Sequence, residues 1–295
     1  MIFASVDIGT NAGKLLFSNV FIKDGVPVAE KISRIRIPLR LGDDVFNNKL
    51  ISKPKQEELI KTLTAFKLLI DVYKPLDWVA CASSAMREAT NSKQVLAAIK
   101  KETGIDLKVI SGLEEARLIT AADNTVMNSH HKYKMFVDLG GGSMEISVLQ
   151  ENHIIRSRSF SIGVIRYIND KIDDKEWDDL KKWLKAFKDD FNKIFLIGSG
   201  GTINNLAKLY GLKENKMISF KELKKAKTHL SQYSLEERVE KLGIRPDRAD
   251  VIVPACDIFL KIMKWIKSDK ACVPGIGLAD GLIYELYREY VSNHS

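Results

Sequence analysis

Phe3-Ala4-Ser5-Val6-Asp7-Ile8-Gly9-Thr10-Asn11 returns later in the chain as Lys134-Met135-Phe136-Val137-Asp138-Leu139-Gly140-Gly141-Gly142. Both are short apolar runs that end in Val-Asp-(Ile/Leu)-Gly. A β-type segment follows each, Leu15 to Val20 in one case and Glu145 to Leu149 in the other. A turn comes next (Lys23-Asp24-Gly25, then Gln150-Glu151-Asn152), and after it a third strand is expected.

The later elements keep step. In the first half Leu59, Leu63, Phe66 and Ile70 fall on one helical face, which predicts a helix over 55–73 with Pro54 at its start. A strand (Trp78 to Ser83), a helix over 93–102, a strand (Leu107 to Ile110) and a helix from Glu114 to Met127 follow. In the second half Trp177, Leu180, Trp183, Leu184 and Phe187 predict a helix over 174–190. Then come a strand Ile194–Ile197, a helix starting near Thr202, a helical insertion, a strand at Ala271–Val273 and a last helix over 278–290. Within the insertion, Ser219 with Glu222 and Ser234 with Glu237 read as capping boxes. Without the insertion, each half reads β-β-β-α-β-α-β-α.

Two such units predict an α/β protein of two sheet-centred domains facing each other across a cleft, with ligands at strand ends. The expected domains are residues 1–122 and 123–283, the second carrying the insertion, with the helix over 284–295 packing back on the first. The linker is placed in Asn124 to Lys132 or in the helix before it. Within it, His130 and His131 read as solvated loop residues rather than metal ligands.

Composition narrows the class. With 295 residues, 45% hydrophobic and 28% charged, the chain is an ordinary globular protein and not a disordered or collagen-like one. No apolar run reaches membrane-span length and the N-terminus lacks a signal pattern, so a cytoplasmic location with no membrane partner is expected. The three cysteines, Cys81, Cys256 and Cys272, have neither disulfide nor zinc spacing and read as buried inert thiols. The net charge of +8, shared between the halves without a basic tail, favours anionic partners. No nucleic-acid-binding signature accompanies it, and none is expected as a partner. A homodimer is compatible with the sequence, which does not fix the oligomeric state.

Three glycine-rich turns each follow an apolar strand: Asp7 to Asn11, Asp138 to Ser143 and Ile197 to Thr202. Glycine lets successive backbone N–H groups converge on an anion, and the third turn runs from strand into helix, as phosphate sites do. One such turn is commonly only structural; three in a duplicated unit point to phosphate. Gly9 to Leu15 is not a Walker motif, because it is one residue short and enters a strand. Asp138 and Glu145 bracket the second turn, where a hairpin can bring them to one mouth as a hard-oxygen pair for Mg²⁺ or another divalent cation. Asp7 occupies the corresponding place in the first half, or serves there as a turn former. Arg87, just past a strand end in Ser83-Ser84-Ala85-Met86-Arg87-Glu88-Ala89, can bind phosphate bidentately. Glu114 and Glu115 open a helix, where acids also complement the macrodipole without any chemistry.

Taken in order, these segments resemble the exopolyphosphatase/guanosine pentaphosphate phosphatase (Ppx/GppA) family of the actin-like, ribonuclease H-like superfamily. The matching pieces are Val6 to Asn11, Ser83 to Ala89, Ser111-Gly112-Leu113-Glu114-Glu115-Ala116-Arg117-Leu118, Val137 to Glu145, Ile197 to Thr202 and Gly277 to Leu282. The resemblance implies that Glu115 is the general base activating water and that Asp138 and Glu145 hold Mg²⁺; Asp7 is the third candidate ligand, from its corresponding place in the first half. It also implies that Arg87 acts with the glycine loops to grip phosphate: Gly9, Thr10, Asn11 and Lys14 in the first, Gly140, Gly141, Gly142 and Ser143 in the second, Gly200, Gly201 and Thr202 in the third. The implied activity is hydrolysis of terminal phosphoanhydride bonds of inorganic polyphosphate, or of guanosine pentaphosphate. A superfamily ATP-dependent kinase or ATPase and a non-catalytic binder of polyphosphate or alarmone are the other readings. Three departures bear on the choice: Ala12 stands where the pattern has Ser, Pro274 and Ala279 stand in the last motif where it has Ser and Arg, and the chain stops after the two core domains.

Overall fold

The computed structural model describes residues 1–122, 131–150, 153–187, 189, 193–212 and 216–294. The chain divides into two compact units, Met1–Ala122 with Gly277–Ser295, and Asp123–Ile276. The linker expected at 124–132 lies outside the described residues up to 130.

The first unit runs β1 (Ile2–Ile8), β2 (Gly13–Lys23), β3 (Val26–Ile37), α1 (Leu41–Asn48), α2 (Lys53–Tyr73), β4 (Asp77–Ala82), α3 (Ser84–Glu88), α4 (Ser92–Thr103), β5 (Lys108–Val109) and α5 (Gly112–Ala121). Its sheet has the order β3-β2-β1-β4-β5, antiparallel on the β2 side of β1 and parallel on the β4 side. The second unit runs β6 (Tyr133–Leu139), β7 (Met144–Gln150), β8 (His153–Phe160), α6 (Val164–Ile168), α7 (Asp174–Lys185), β9 (Ile194–Ser199), α8 (Gly201–Tyr210), β10 (Met217–Ser219), α9 (Phe220–Leu230), α10 (Leu235–Glu240), α11 (Pro246–Ala249), α12 (Ile252–Trp265) and β11 (Lys270–Cys272). Its order is β10-β11-β9-β6-β7-β8, the same plan with one antiparallel edge strand added. The last helix, α13 (Leu278–His294), belongs to the first unit.

The repeat extends to irregularities. β2 slips against β3 between Phe17 and Ser18, and β7 slips against β8 between Val148 and Leu149. Phe17 and Val148 lie equally far beyond Asp7 and Asp138, so the bulge itself is duplicated, as designed bulges are. β1 and β6 sit centrally and are buried along nearly their whole length. That explains why they read as continuous apolar runs rather than alternating ones.

The predicted face of α2 is the buried one, Leu59, Leu63, Phe66 and Ile70; in α7 Leu180, Trp183 and Leu184 are buried, while Trp177 is half-buried and Phe187 lies past the helix end. Both capping boxes close, Ser219 with Glu222 and Ser234 with Glu237. α7 ends at Lys185, short of the expected 190, and α5 at Ala121. α13 enters the first unit at Leu278, not at 284. Leu278 and Leu282 pack with Cys81, Ile110, Leu118 and Ile119, while Ala279, Ile283, Leu286 and Tyr287 pack with Phe3, Leu16 and Val20. Each large apolar side chain so buried contributes about 1.5–3 kcal/mol, so the helix holds from its first turn. Gly281 makes the approach possible: a Cβ there would stand 2.4 Å from the Leu118 carbonyl oxygen.

The described helices include none long and apolar enough to cross a membrane. Cys81 and Cys256 are buried and Cys272 half-buried. Burial pushes both buried thiols up to about 12, with Asp7 adding to the effect at Cys81 and Asp257 at Cys256. At neutral pH both are protonated and unreactive, as expected.

Candidate active site

The two hairpin loops are built alike. Gly9 N–H donates to the Ala12 carbonyl at 3.0 Å, and Gly140 N–H donates to the Ser143 carbonyl at 3.0 Å. These two amides therefore close their own turns. A short helix then clamps each loop: Gly42 N–H of α1 donates to the Thr10 carbonyl, and Ile165 N–H of α6 donates to the Gly141 carbonyl. Neither helix shows in the sequence pattern, since five to eight residues give periodicity too little length.

Side chains on the next strand separate the two loops. Strand register pairs Asp7 with Lys14 across β1 and β2, and Asp138 with Glu145 across β6 and β7. In the first unit Lys14 Nζ lies 2.6 Å from Asp7 Oδ2. The ammonium engages one of the two Asp7 carboxylate oxygens and gives Lys14 a partner within its own hairpin. In the second unit two buried carboxylates stand side by side. Ser159 Oγ donates to Glu145 Oε1 at 2.8 Å, fixing one end of that side chain. Like charges set together out of water are costly unless a cation or proton joins them. Oxygen-only donors at a hairpin mouth fit Mg²⁺ or a similar hard cation.

The third loop leaves β9 and enters α8 at Gly201, as predicted. Gly200 sits at φ 106°, and a Cβ on it would meet the Leu139 carbonyl oxygen at 2.4 Å. Only glycine lets this turn seat itself against the end of β6. Two arginines absent from the sequence reading attend the loops of this unit. Arg166, in the last turn of α6, donates from Nε to the Gly142 carbonyl at 2.6 Å. Arg248 of α11 lies over Gly201 and donates from Nη1 to Thr202 Oγ1 at 3.2 Å. Both are buried, which arginine rarely is without a fixed task. The readable signal was Arg245-Pro246-Asp247-Arg248 just ahead of the apolar run of α12.

In the first unit Thr10 Oγ1 and Ser84 Oγ share a buried hydrogen bond of 2.7 Å, which ties the first loop to the start of α3. Arg87 Nη1 donates to the Ile110 carbonyl at 2.8 Å, so one guanidinium donor is already assigned. In α5, Ser111 Oγ caps the helix by accepting from Glu114 N–H. The paired acids then part: Glu114 faces solvent, while Glu115 is 8% exposed. The macrodipole explanation suffices for Glu114. A buried carboxylate needs a further reason. Of the three departures, Ala279 is packed in the core with its carbonyl accepting from Ser5 Oγ at 2.8 Å, and Ala12 is buried beneath its loop.

Comparison with known proteins agrees with this layout. A bifunctional 3-dehydroquinate synthase/phosphatase of Fusobacterium nucleatum is 28% identical over 299 residues, covering 90% of this chain but 44% of that protein, so the chain spans less than half of that relative. Exopolyphosphatase 1 of Mycobacterium leprae is 25% identical over 306 residues, covering 94% of this chain and 87% of that one. The crystal structure of the Aquifex aeolicus Ppx/GppA family member superimposes with a TM-score of 0.74 at 28% identity, covering 98% of each chain. Residues 20–289 match the model of the Ppx/GppA phosphatase family, nearly the whole duplicated architecture. The chain belongs to that family and is a phosphatase of the hydrolase class.

Proposed function

We propose that this protein removes terminal phosphate from inorganic polyphosphate in a Mg²⁺-dependent reaction. The observation that carries the reading is the register pair Asp138–Glu145: two buried carboxylates at the mouth of a glycine loop whose neighbour, Gly200–Thr202, opens a helix. The exopolyphosphatase name of the mycobacterial relative supports the substrate class.

Asp138 and Glu145 would hold the cation, which when bound would neutralise charge on the phosphoryl oxygens. The amide donors of Gly141, Gly142, Gly201 and Thr202, rather than those of Gly9 and Gly140, serve the phosphate, with Arg87 as a charged donor. Glu115 accepts a proton from water. The water oxygen bonds to the terminal phosphorus, the bridging P–O bond breaks, and its electron pair leaves with the shortened chain.

The test is phosphate release by purified protein with Mg²⁺ from long-chain polyphosphate, guanosine pentaphosphate and ATP at equal terminal-phosphate concentration, with Glu115→Gln alongside. The expected result is release from polyphosphate that falls by about 10²–10⁴-fold in the variant. Faster release from guanosine pentaphosphate would transfer the mechanism to that substrate. Wild-type rates in Glu115→Gln would overturn the role of the base.

A further inference from the structure

The outward face of α9 has a charge pattern the catalytic reading does not use. Lys221, Lys224, Lys225, Thr228, His229 and Gln232 line a shallow groove of about 420 Å³. At 100° per residue the five of these positions within α9 fall on one continuous arc, opposite the buried Leu223, Ala226 and Leu230, with Gln232 just past the helix end. The other charged residues of the helix are turned elsewhere: Glu222 closes the capping box, and Lys227 is paired with Asp257 of α12. No acid lies on the arc, and Lys221, Lys224 and Lys225 form no ion pair among the described residues.

This arrangement opposes the helix that carries it. Lys221 sits in the first turn, where the macrodipole disfavours positive charge, and like charges three and four residues apart repel. An anion lying along the groove relieves both. Some exposed helical lysines elsewhere are matched, as in Lys55–Glu58, Lys67–Asp71 and Lys241–Glu237, whereas Lys181, Lys182 and Lys185 of α7 also form no ion pair among the described residues and so make a matched comparison.

The chemistry of the face selects among anions. It offers ammonium point donors and no arginine fork. Its one aromatic, His229, already shares a 2.9 Å hydrogen bond with the Tyr210 hydroxyl and stands edge-on to Tyr233. A phosphate polymer without bases fits. We propose that this face of α9 is a docking site for an inorganic polyphosphate chain, separate from the glycine loops; this rests on polyphosphate being the substrate. α8 sets the separation. It runs from Gly201 at the third loop to Tyr210 beside His229, nine residue steps or about 14 Å. Long chains can hold both places at once and gain effective concentration; tripolyphosphate cannot.

The experiment compares wild-type protein, Lys221→Gln/Lys224→Gln/Lys225→Gln, and a charge-matched control on α7, Lys181→Gln/Lys182→Gln/Lys185→Gln. KM and kcat are read for long-chain polyphosphate and tripolyphosphate, with equilibrium binding of long-chain polyphosphate in chelator over a salt series. In the α9 variant, KM for the long chain should rise about tenfold at low salt with kcat unchanged. Its log–log salt slope of binding should fall by about two. Tripolyphosphate kinetics and the α7 control should match wild type. If hydrolysis of polyphosphate is intact and long-chain KM and binding are unaltered, or the α7 control changes as much, the docking site is wrong and the substrate reading stands. If polyphosphate is not hydrolysed but its binding is lost only in the α9 variant, the substrate reading fails and the site stands. A single-stranded oligonucleotide that binds this face more tightly than polyphosphate overturns the assigned occupant.

Discussion

The two halves of this protein carry the same hairpin with one decisive exchange. Asp7 and Asp138 end equivalent strands, and Lys14 and Glu145 face them from the returning ones. Lysine makes the first hairpin a self-neutralised pair, closed by a 2.6 Å contact. Glutamate makes the second a pair of buried carboxylates, an oxygen-donor set that suits a divalent cation. One repeated scaffold thus yields an ion pair on one side and a candidate metal site on the other. The fold is set by what the halves share, and the chemistry by what one position changed.

The largest expected effect comes from erasing that difference. Glu145→Lys gives the second hairpin the ion pair of the first, so the fold should survive while Mg²⁺-dependent phosphate release falls by about 10³-fold. Asp7→Asn should leave the midpoint of the Mg²⁺ activation curve unmoved, even if the loss of a partly buried ion pair lowers the melting temperature. An equal shift of that midpoint in both variants would return Asp7 to the metal site.

A second difference lies on the parallel side of the central strand. β1 pairs Ile8 with Ala82, still in strand conformation, whereas one residue beyond Ser199 the other unit has Gly200 at φ 106°. Gly200→Ala is expected to cost about 2–4 kcal/mol, since the new Cβ would meet a backbone carbonyl in a conformation alanine resists. A shift of the urea midpoint at constant slope measures it. At Gly201 the obstacle would be the far end of Arg248, a side chain that can move. Gly201→Ala should therefore act on KM more than on stability.

Much of this was legible in the residues, and the exceptions have physical causes. The duplication, the strand-ending aspartates, the third loop and the long helix faces follow from periodicity and glycine placement, which are local properties. α1 and α6 are too short to show a period, although their N–H groups clamp both loops. The partner of Asp7 was readable but not read: Lys14 follows Asp7 by the same seven residues that separate Glu145 from Asp138, and the turn fixes the register of both hairpins. Arg166 and Arg248 were missed for a different reason: an arginine looks solvated in sequence until the fold buries it. The division of Glu114 from Glu115 needed the helix phase, which puts one acid outward and the next inward.

The smallest expected effect tests the same register position once more. Asp7 faces Cys81 across β1 and β4, where Asp138 faces Ser199. The Cys81 thiol is pushed from 9.0 up to about 12, first by burial and then by Asp7. The folded protein keeps this proton while the unfolded chain releases it above pH 9, so the native state binds more protons in that window. Stability therefore falls as pH rises from about 9 towards 12, and is unaffected by this group below 9. Cys81→Ser installs the residue of the other half, which does not titrate. Between pH 8 and pH 10 the variant should lose about 1 kcal/mol less stability than wild type, with Cys256 supplying a remaining share of the slope. Native Cys81 should also resist iodoacetamide at pH 8. Parallel stability curves for the two proteins, or rapid alkylation of native Cys81, would mean that the first hairpin is less closed to solvent than its ion pair implies.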